Sequence, residues 1–190
     1  MAGQAETDRA GGIDAGGGLV LRPWRERDAA AVLAAFRAPL MERQADEPVD
    51  SAGAAGRWIA RRAAERVADS AYAFAVVDAG DRPLGHVAVG AVNRAHATGW
   101  VSYWTVERAR GGGVAARGCA ALARWAFRDL GLFRLELGHR TDNPASCGVA
   151  RAAGFAVEGV QRQKLAYDGV RHDVELHARL ASDRVQGSHL

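Results

Sequence analysis

Gly111, Gly112 and Gly113 stand in a row between a β-rich run, WVSYWTV (Trp100–Val106), and an amphipathic segment, Val114–Leu130. Three glycines at a strand-to-helix junction let the backbone turn sharply and approach a ligand with no Cβ in the way. The helix that follows presents unpaired N–H groups and the positive end of its dipole. Together these make an anion site, most naturally for phosphate. Arg108 and Arg110 add charge beside it. The plainer reading of RARGGGVAA (Arg108–Ala116) is a flexible turn with exposed arginines. Gly111-Gly-Gly113-x-x-Ala116 also fits a dinucleotide fingerprint. Against that, residues 107–110 separate the strand from the glycines, and too little chain follows for the second half of a doubly wound sheet. One Arg-Gly-Gly in a folded segment says little about RNA, and no Walker lysine is present.

Hydrophobic periodicity orders the remaining elements. Leu21–Phe36 reads as a short strand and then a helix capped by Asp28, with Val32, Leu33 and Phe36 on one face. A second helix runs from about Ser51 to Val67, with Trp58, Ile59 and Ala63 inward. Tyr72–Val92 is a hairpin around Gly80-Asp81. Val114–Leu130 buries Leu122, Trp125 and Ala126 and stops at Gly131. Phe133–His139 alternates as a strand. Asn143 and Pro144 open a short helix as N-cap and first-turn proline, and Gly154 closes it. Ala156–Leu180 is a final hairpin around Tyr167-Asp168-Gly169. The crossover through Val114–Leu130 implies one parallel strand pair, while the other connections are antiparallel. The expected fold class is therefore α/β, with a mixed, mostly antiparallel sheet and helices on both faces. Six glycines in the first 18 residues leave little to bury there. Residues 1–18 read as a disordered tail, 19–183 as a single domain and 184–190 as a C-terminal tail.

Charge and rare residues exclude several classes. Twenty-five basic against 22 acidic residues leave a net charge of +3 on 190 residues. That weak field suits an anionic small ligand and does not call for a nucleic acid. No apolar run reaches the ~18 residues of a membrane span, and no secretory signal precedes the domain. Cys119 and Cys147 are too few for a disulfide framework and lack metal-type spacing. The six histidines are scattered, and His172 and His177, five apart on a strand, would face opposite sides. A cytoplasmic protein with no metal and no membrane partner is expected.

The chain resembles the GNAT superfamily of N-acetyltransferases. Arg110-x-x-Gly113-x-Ala115 matches its acyl-CoA pyrophosphate motif, R-x-x-G-x-A. FRLELGHRTDNPASCGVARAAGF (Phe133–Phe155), then Glu158-Gly159 and the Tyr167-Asp-Gly turn, is similar to the RimJ/RimL-type branch, which includes enzymes acetylating ribosomal-protein N-termini. The resemblance runs from Leu21 to Leu180. It implies splayed central strands, here Trp100–Val106 and Phe133–His139, with the pantetheine arm of acetyl-CoA between them. Backbone groups of Thr105 and Val106 would pair with that arm. Arg110 and the amides of Gly111, Gly112, Gly113, Val114 and Ala115 would hold the pyrophosphate.

The resemblance also implies direct attack of the amine on the thioester, so Cys147 is not needed as a nucleophile. The Val106 N–H would polarise the carbonyl. Ser146 falls where a family hydroxyl meets the CoA sulfur, although a local helix cap is its plainer role. Asn143 is a plain N-cap or one that also touches pantetheine. Trp104 is the candidate wall of the acceptor pocket, whereas Trp24 and Trp100 read as packing. Some relatives carry a glutamate base 19 positions after the serine; here that position is Leu165. His139, Glu136 and Asp173 are the substitutes to examine. The expected function is acetyl transfer from acetyl-CoA to a primary amine, on a small molecule or a peptide, in a monomer or homodimer. The alternative is a catalytically silent acyl-CoA-binding module.

Overall fold

The structure is a computed structural model that describes residues 7–8, 12–39 and 41–183. In chain order its elements are β1 (Thr7–Asp8), β2 (Gly12–Gly16), β3 (Leu19–Arg22), α1 (Ala29–Phe36), α2 (Ala52–Val67), β4 (Tyr72–Val77), β5 (Pro83–Asn93), β6 (Thr98–Thr105), α3 (Val114–Arg128), β7 (Arg134–Arg140), α4 (Pro144–Ala152), β8 (Ala156–Tyr167) and β9 (Val170–Leu180). Among the described residues the strands form one sheet in the order β1-β2-β3-β4-β5-β6-β7-β9-β8. Only β6 and β7 pair in parallel, as the α3 crossover requires. No described helix is long and apolar enough to cross a membrane.

Two cores lie on opposite faces of this sheet. On one face α3 and α4 cover Leu21, Val76, Val87, Leu135 and Leu137, with Leu122 and Cys119 fully buried between them. Burying a leucine of this kind contributes about 1.5–3 kcal/mol. On the other face α1 and α2 pack Val32, Phe36, Trp58 and Ile59 against Trp24 and Trp104. Val32 and Phe36 face inward as the periodicity predicts, but Ala63 is exposed, and Ala54 and Ala55 take the inward positions of α2.

The strand Gly12–Gly16 lies before Leu19, where the sequence reading begins the domain. It pairs antiparallel with β3 and buries Ala15 against α3. Gly16, Gly17 and Gly18, with φ of 76°, 62° and 76°, form the turn between the two strands. The glycines that suggest a tail by composition supply the left-handed geometry of a tight hairpin. The remaining tail assignments, 1–6, 9–11 and 184–190, lie outside the described residues.

Asp28 is also more than a cap. Its side chain makes no bond to α1. Its two oxygens accept from the Arg22 guanidinium at 2.7 and 3.0 Å, and one accepts the Arg25 N–H at 2.9 Å. Both side chains are almost wholly buried. Asp81 also pairs with Arg22, so it is the loss of Arg22 that would strand a buried charge, on Asp28, at a cost of about 3–5 kcal/mol.

Candidate active site

The parallel ladder of β6 and β7 is short. It joins Thr98, Gly99 and Trp100 to Arg134, Leu135 and Glu136, and then stops. Beyond it β6 stays paired with β5 as far as Thr105, and β7 stays paired with β9 as far as Arg140. The two central strands therefore splay, as the family resemblance implies.

Two clefts open at the end of β6. One, of about 680 Å³, runs from the start of α3 and α4 to Pro39, Met41 and Gln44 and is also lined by Tyr103, Thr105, Arg110, Gly111, Gly113, Val114, Ala115, Asn143 and Ser146. The other, of about 500 Å³, is lined by α1 residues Ala31, Ala34, Ala35 and Ala38 and by Trp104, Thr105, Val106 and Glu107. Met41, Trp104, Thr105 and Arg110 border both, so the two clefts adjoin at the end of β6.

The glycine loop has the geometry of an anion cradle. Gly113 is the N-cap residue of α3, with φ 74°, ψ 11°, and no side chain caps the helix. A side chain at this left-handed position would strain the backbone. The first amides of α3 are left for a ligand, and their dipole favours an anion. Arg117, one turn into α3, donates to the Gly112 carbonyl at 3.0 Å and holds its guanidinium beside the loop. Sequence reasoning missed Arg117; its spacing of four from Gly113 was the available signal. The donor set suits a pyrophosphate.

On the opposite side, Asn143 caps α4 by accepting the Ser146 N–H at 3.1 Å and also lines the larger cleft. The Ser146 carbonyl accepts the Tyr103 hydroxyl at 3.2 Å. Burial pushes the Tyr103 pKa up to about 12, so the phenol keeps its proton. Trp104 is 7% exposed, and its Nε1 lacks a hydrogen-bond partner among the described residues. Trp24 packs against Trp104 and donates Nε1–H to His86 Nδ1 at 3.1 Å. Trp100 is 39% exposed and stands apart from both clefts.

The structure changes two expectations. The Val106 N–H donates to the Leu84 carbonyl at 2.9 Å, so it is not free to polarise a thioester. Alternate amides of a strand point to the same side. The N–H groups directed into the gap are therefore those of Tyr103 and Thr105. The substitute bases are also engaged elsewhere: Arg134 donates to Glu136 at 2.7 Å, Asp173 accepts the Gln163 N–H at 2.7 Å, and His139 is buried against His177. Glu107, just beyond the end of β6 as the sequence reading has it, lines the smaller cleft.

The chain has relatives among known proteins. A sequence profile described as acetyltransferase (GNAT) domain matches residues 18–156. The chain is 31% identical to the probable N-acetyltransferase YjcK of Bacillus subtilis over 120 residues, 62% of this chain and 66% of that one. It is 29% identical to the ribosomal-protein-serine acetyltransferase of Escherichia coli over 100 residues, 53% of this chain and 56% of that one. The matches thus span 66% and 56% of these relatives' lengths. Among solved structures, Mycobacterium smegmatis RimJ in complex with CoA-disulfide superposes with a TM-score of 0.77 at 26% identity, covering 86% of this chain and 82% of that one. A RimL ribosomal L7/L12 alpha-N-protein acetyltransferase in complex with coenzyme A gives 0.80 at 24% identity, over 89% and 97%, and supports the fold.

Proposed function

Since the chain belongs to the acetyltransferase (GNAT) domain family, we propose that it is an acetyl-CoA-dependent N-acetyltransferase acting on the primary amine of a protein N-terminus. The observation that carries this reading is the meeting of two clefts, one beside the glycine loop and α4 and one beside α1, at Trp104 and Thr105. Donor and acceptor can enter by separate clefts and touch without an acyl-enzyme. A silent CoA-binding module has no need of the second cleft.

Acetyl-CoA supplies the activated thioester. The loop amides from Gly111 to Ala115, with Arg110 and Arg117, hold its pyrophosphate. The Tyr103 and Thr105 amides, unpaired along the splayed edge, extend a β-type ladder to the pantetheine arm. The Ser146 hydroxyl, at the border of the larger cleft, donates to the sulfur as charge develops there. In the smaller cleft Glu107 attracts the ammonium form of the acceptor, and Trp104 walls the place where the neutral amine must lie. The alanine face of α1 leaves room for the main chain of a peptide. A relative named for ribosomal-protein acetylation favours a protein acceptor over a small molecule. Both clefts are built from one chain, so a homodimer is not required, and a cytoplasmic location accords with the reading.

The test is thiol release from acetyl-CoA with a panel of N-terminal peptides, polyamines and amino acids. Turnover confined to peptides supports the proposal. Turnover confined to small amines overturns its acceptor, and absence of turnover with every amine overturns the transfer activity.

A further inference from the structure

Outside both clefts, under α4, four side chains converge. His139 comes from β7, Glu175 and His177 from β9, and Cys147 from α4, and one ligand atom of each lies within 4.8 Å of all the others. The sheet register brings them together. His139 stands opposite Glu175, and His177 is two residues further along the same strand, so all three share one face.

The partners of the imidazoles decide their protonation. His139 Nδ1 lies 2.9 Å from the Arg140 carbonyl, and His177 Nδ1 lies 3.5 Å from the Phe155 carbonyl. A carbonyl only accepts, so at 2.9 Å the Nδ1 of His139 carries the hydrogen and, in a neutral ring, its Nε2 presents a lone pair. Yet the two Nε2 atoms are 2.9 Å apart. Glu175 Oε1, another acceptor, lies 2.9 Å from the Nε2 of His177 and 3.4 Å from that of His139. The Cys147 thiol donates to the same oxygen at 3.4 Å. Two imidazole nitrogens, a carboxylate oxygen and a sulfur thus converge on one point in a mostly buried site, where a cation would be held by all four.

We propose that these four residues bind a divalent transition-metal ion of the zinc class. A tetrahedral ion with ligands at about 2.0–2.3 Å places them roughly 3.3–3.7 Å apart; the separations here are 2.9 Å for two pairs and 3.4 Å for two others, so the two pairs at 2.9 Å open by a few tenths of an ångström on binding. Two imidazoles, a thiolate and a carboxylate form a borderline-soft donor set that suits zinc better than magnesium or calcium. The carbonyl bonds at both Nδ1 atoms supply the outer contacts that orient metal-binding histidines. Cys147 and Glu175 are half-buried and give the ion a way in, while His139 and His177 close the inner side. On binding, the Cys147 S–H bond breaks, its proton leaves to solvent, and the thiolate pair forms the bond to the ion. None of the four lines either cleft, so the ion pins α4 to the sheet below Asn143 and Ser146 and takes no part in the chemistry.

The test uses the whole chain, stripped with chelator and shown to be folded. One equivalent of zinc per chain should be retained after desalting, and the melting temperature should rise with zinc. Cobalt(II) should give visible bands of tetrahedral intensity and a thiolate-to-cobalt charge-transfer band in the near ultraviolet. Cys147→Ser should abolish the charge-transfer band and weaken zinc binding at least tenfold; His177→Asn should remove both signals. If His177→Asn does not fold, Cys147→Ser decides, because its side chain is nearly isosteric and half-buried. Absence of stoichiometric zinc in the folded wild type overturns the proposal. So does a cobalt spectrum that Cys147→Ser leaves unchanged, which would locate the ion elsewhere.

Discussion

The Tyr103 hydroxyl donates to the Ser146 carbonyl across the gap between β6 and α4, at 3.2 Å. The parallel ladder has ended three residues earlier, at Trp100. The mouth of the gap is thus bridged by a side chain, where elsewhere in the sheet backbone bonds set the spacing. A ligand can occupy the opening without breaking a ladder, and Ser146 is held at its border by bonds at both its N–H and its C=O.

Ser146 should act after binding. Its backbone is tied by Asn143 and Tyr103, so Ser146→Ala removes only the hydroxyl and should leave the helix intact. The bond to a departing thiolate strengthens as charge develops. We expect kcat to fall by tenfold or more with acetyl-CoA affinity nearly unchanged, measured by steady-state kinetics beside calorimetry. A loss of affinity at normal kcat would return Ser146 to a purely structural role.

Gly113 should matter for the cofactor and little for the fold. A β-branched residue at φ 74° is strained, and its side chain would grow toward Arg117, whose guanidinium lies 3.6 Å from the Cβ position. Gly113→Val should lower coenzyme A affinity at least tenfold, about 1.4 kcal/mol. Calorimetry on the folded variant checks this; unchanged affinity would remove the loop from the binding site.

No carboxylate among the described residues lines the larger cleft, and Leu165 stands where some relatives carry a base. The rising limb of kcat/KM against pH should therefore follow the acceptor's own amine pKa. A less basic amine should reach its plateau at lower pH. Glu107→Gln should raise acceptor KM severalfold and leave kcat nearly unchanged, as expected of a group that binds the ammonium. A limb that stays fixed across amines, and disappears in Glu107→Gln, would make Glu107 the base.

His86 should make the fold acid-sensitive. Burial, with Arg62 adding to it, lowers its pKa to about 3. The native ring stays neutral down to that pH, while the unfolded ring protonates below about 6.5. Between those values the unfolded state binds more protons, so this contribution is fully present above pH 6.5 and is lost as pH falls toward 3. The slope is at most about 1.4 kcal/mol per pH unit. Denaturant titrations from pH 7 to 4 should show this decline. His86→Asn keeps an acceptor for Trp24 and should flatten it; an equally steep decline in that variant would assign the effect to other groups.

The sequence alone was enough for the strand and helix order from Leu19 onward, because periodicity, caps and turn residues are local. The boundaries Ala29–Phe36 and Val114 match those expected, Ser51 caps α2, and Asn143 caps α4. The glycine loop was equally legible, since its chemistry lies in nine consecutive residues. What the sequence could not display is anything that depends on pairing between distant segments. The Val106 amide looked available until β5 placed the Leu84 carbonyl against it. Asp28 looked like a cap until the fold buried it with Arg22. Gly16–Gly18 looked like a tail until β3 gave β2 a partner. His139 and His177 are 38 residues apart and carry no spacing signal, yet their Nε2 atoms meet at 2.9 Å. Local propensity acts over a few residues, whereas a register places atoms that only a closed sheet can bring together; tertiary structure alone decided which lone pairs and amides were left for ligands.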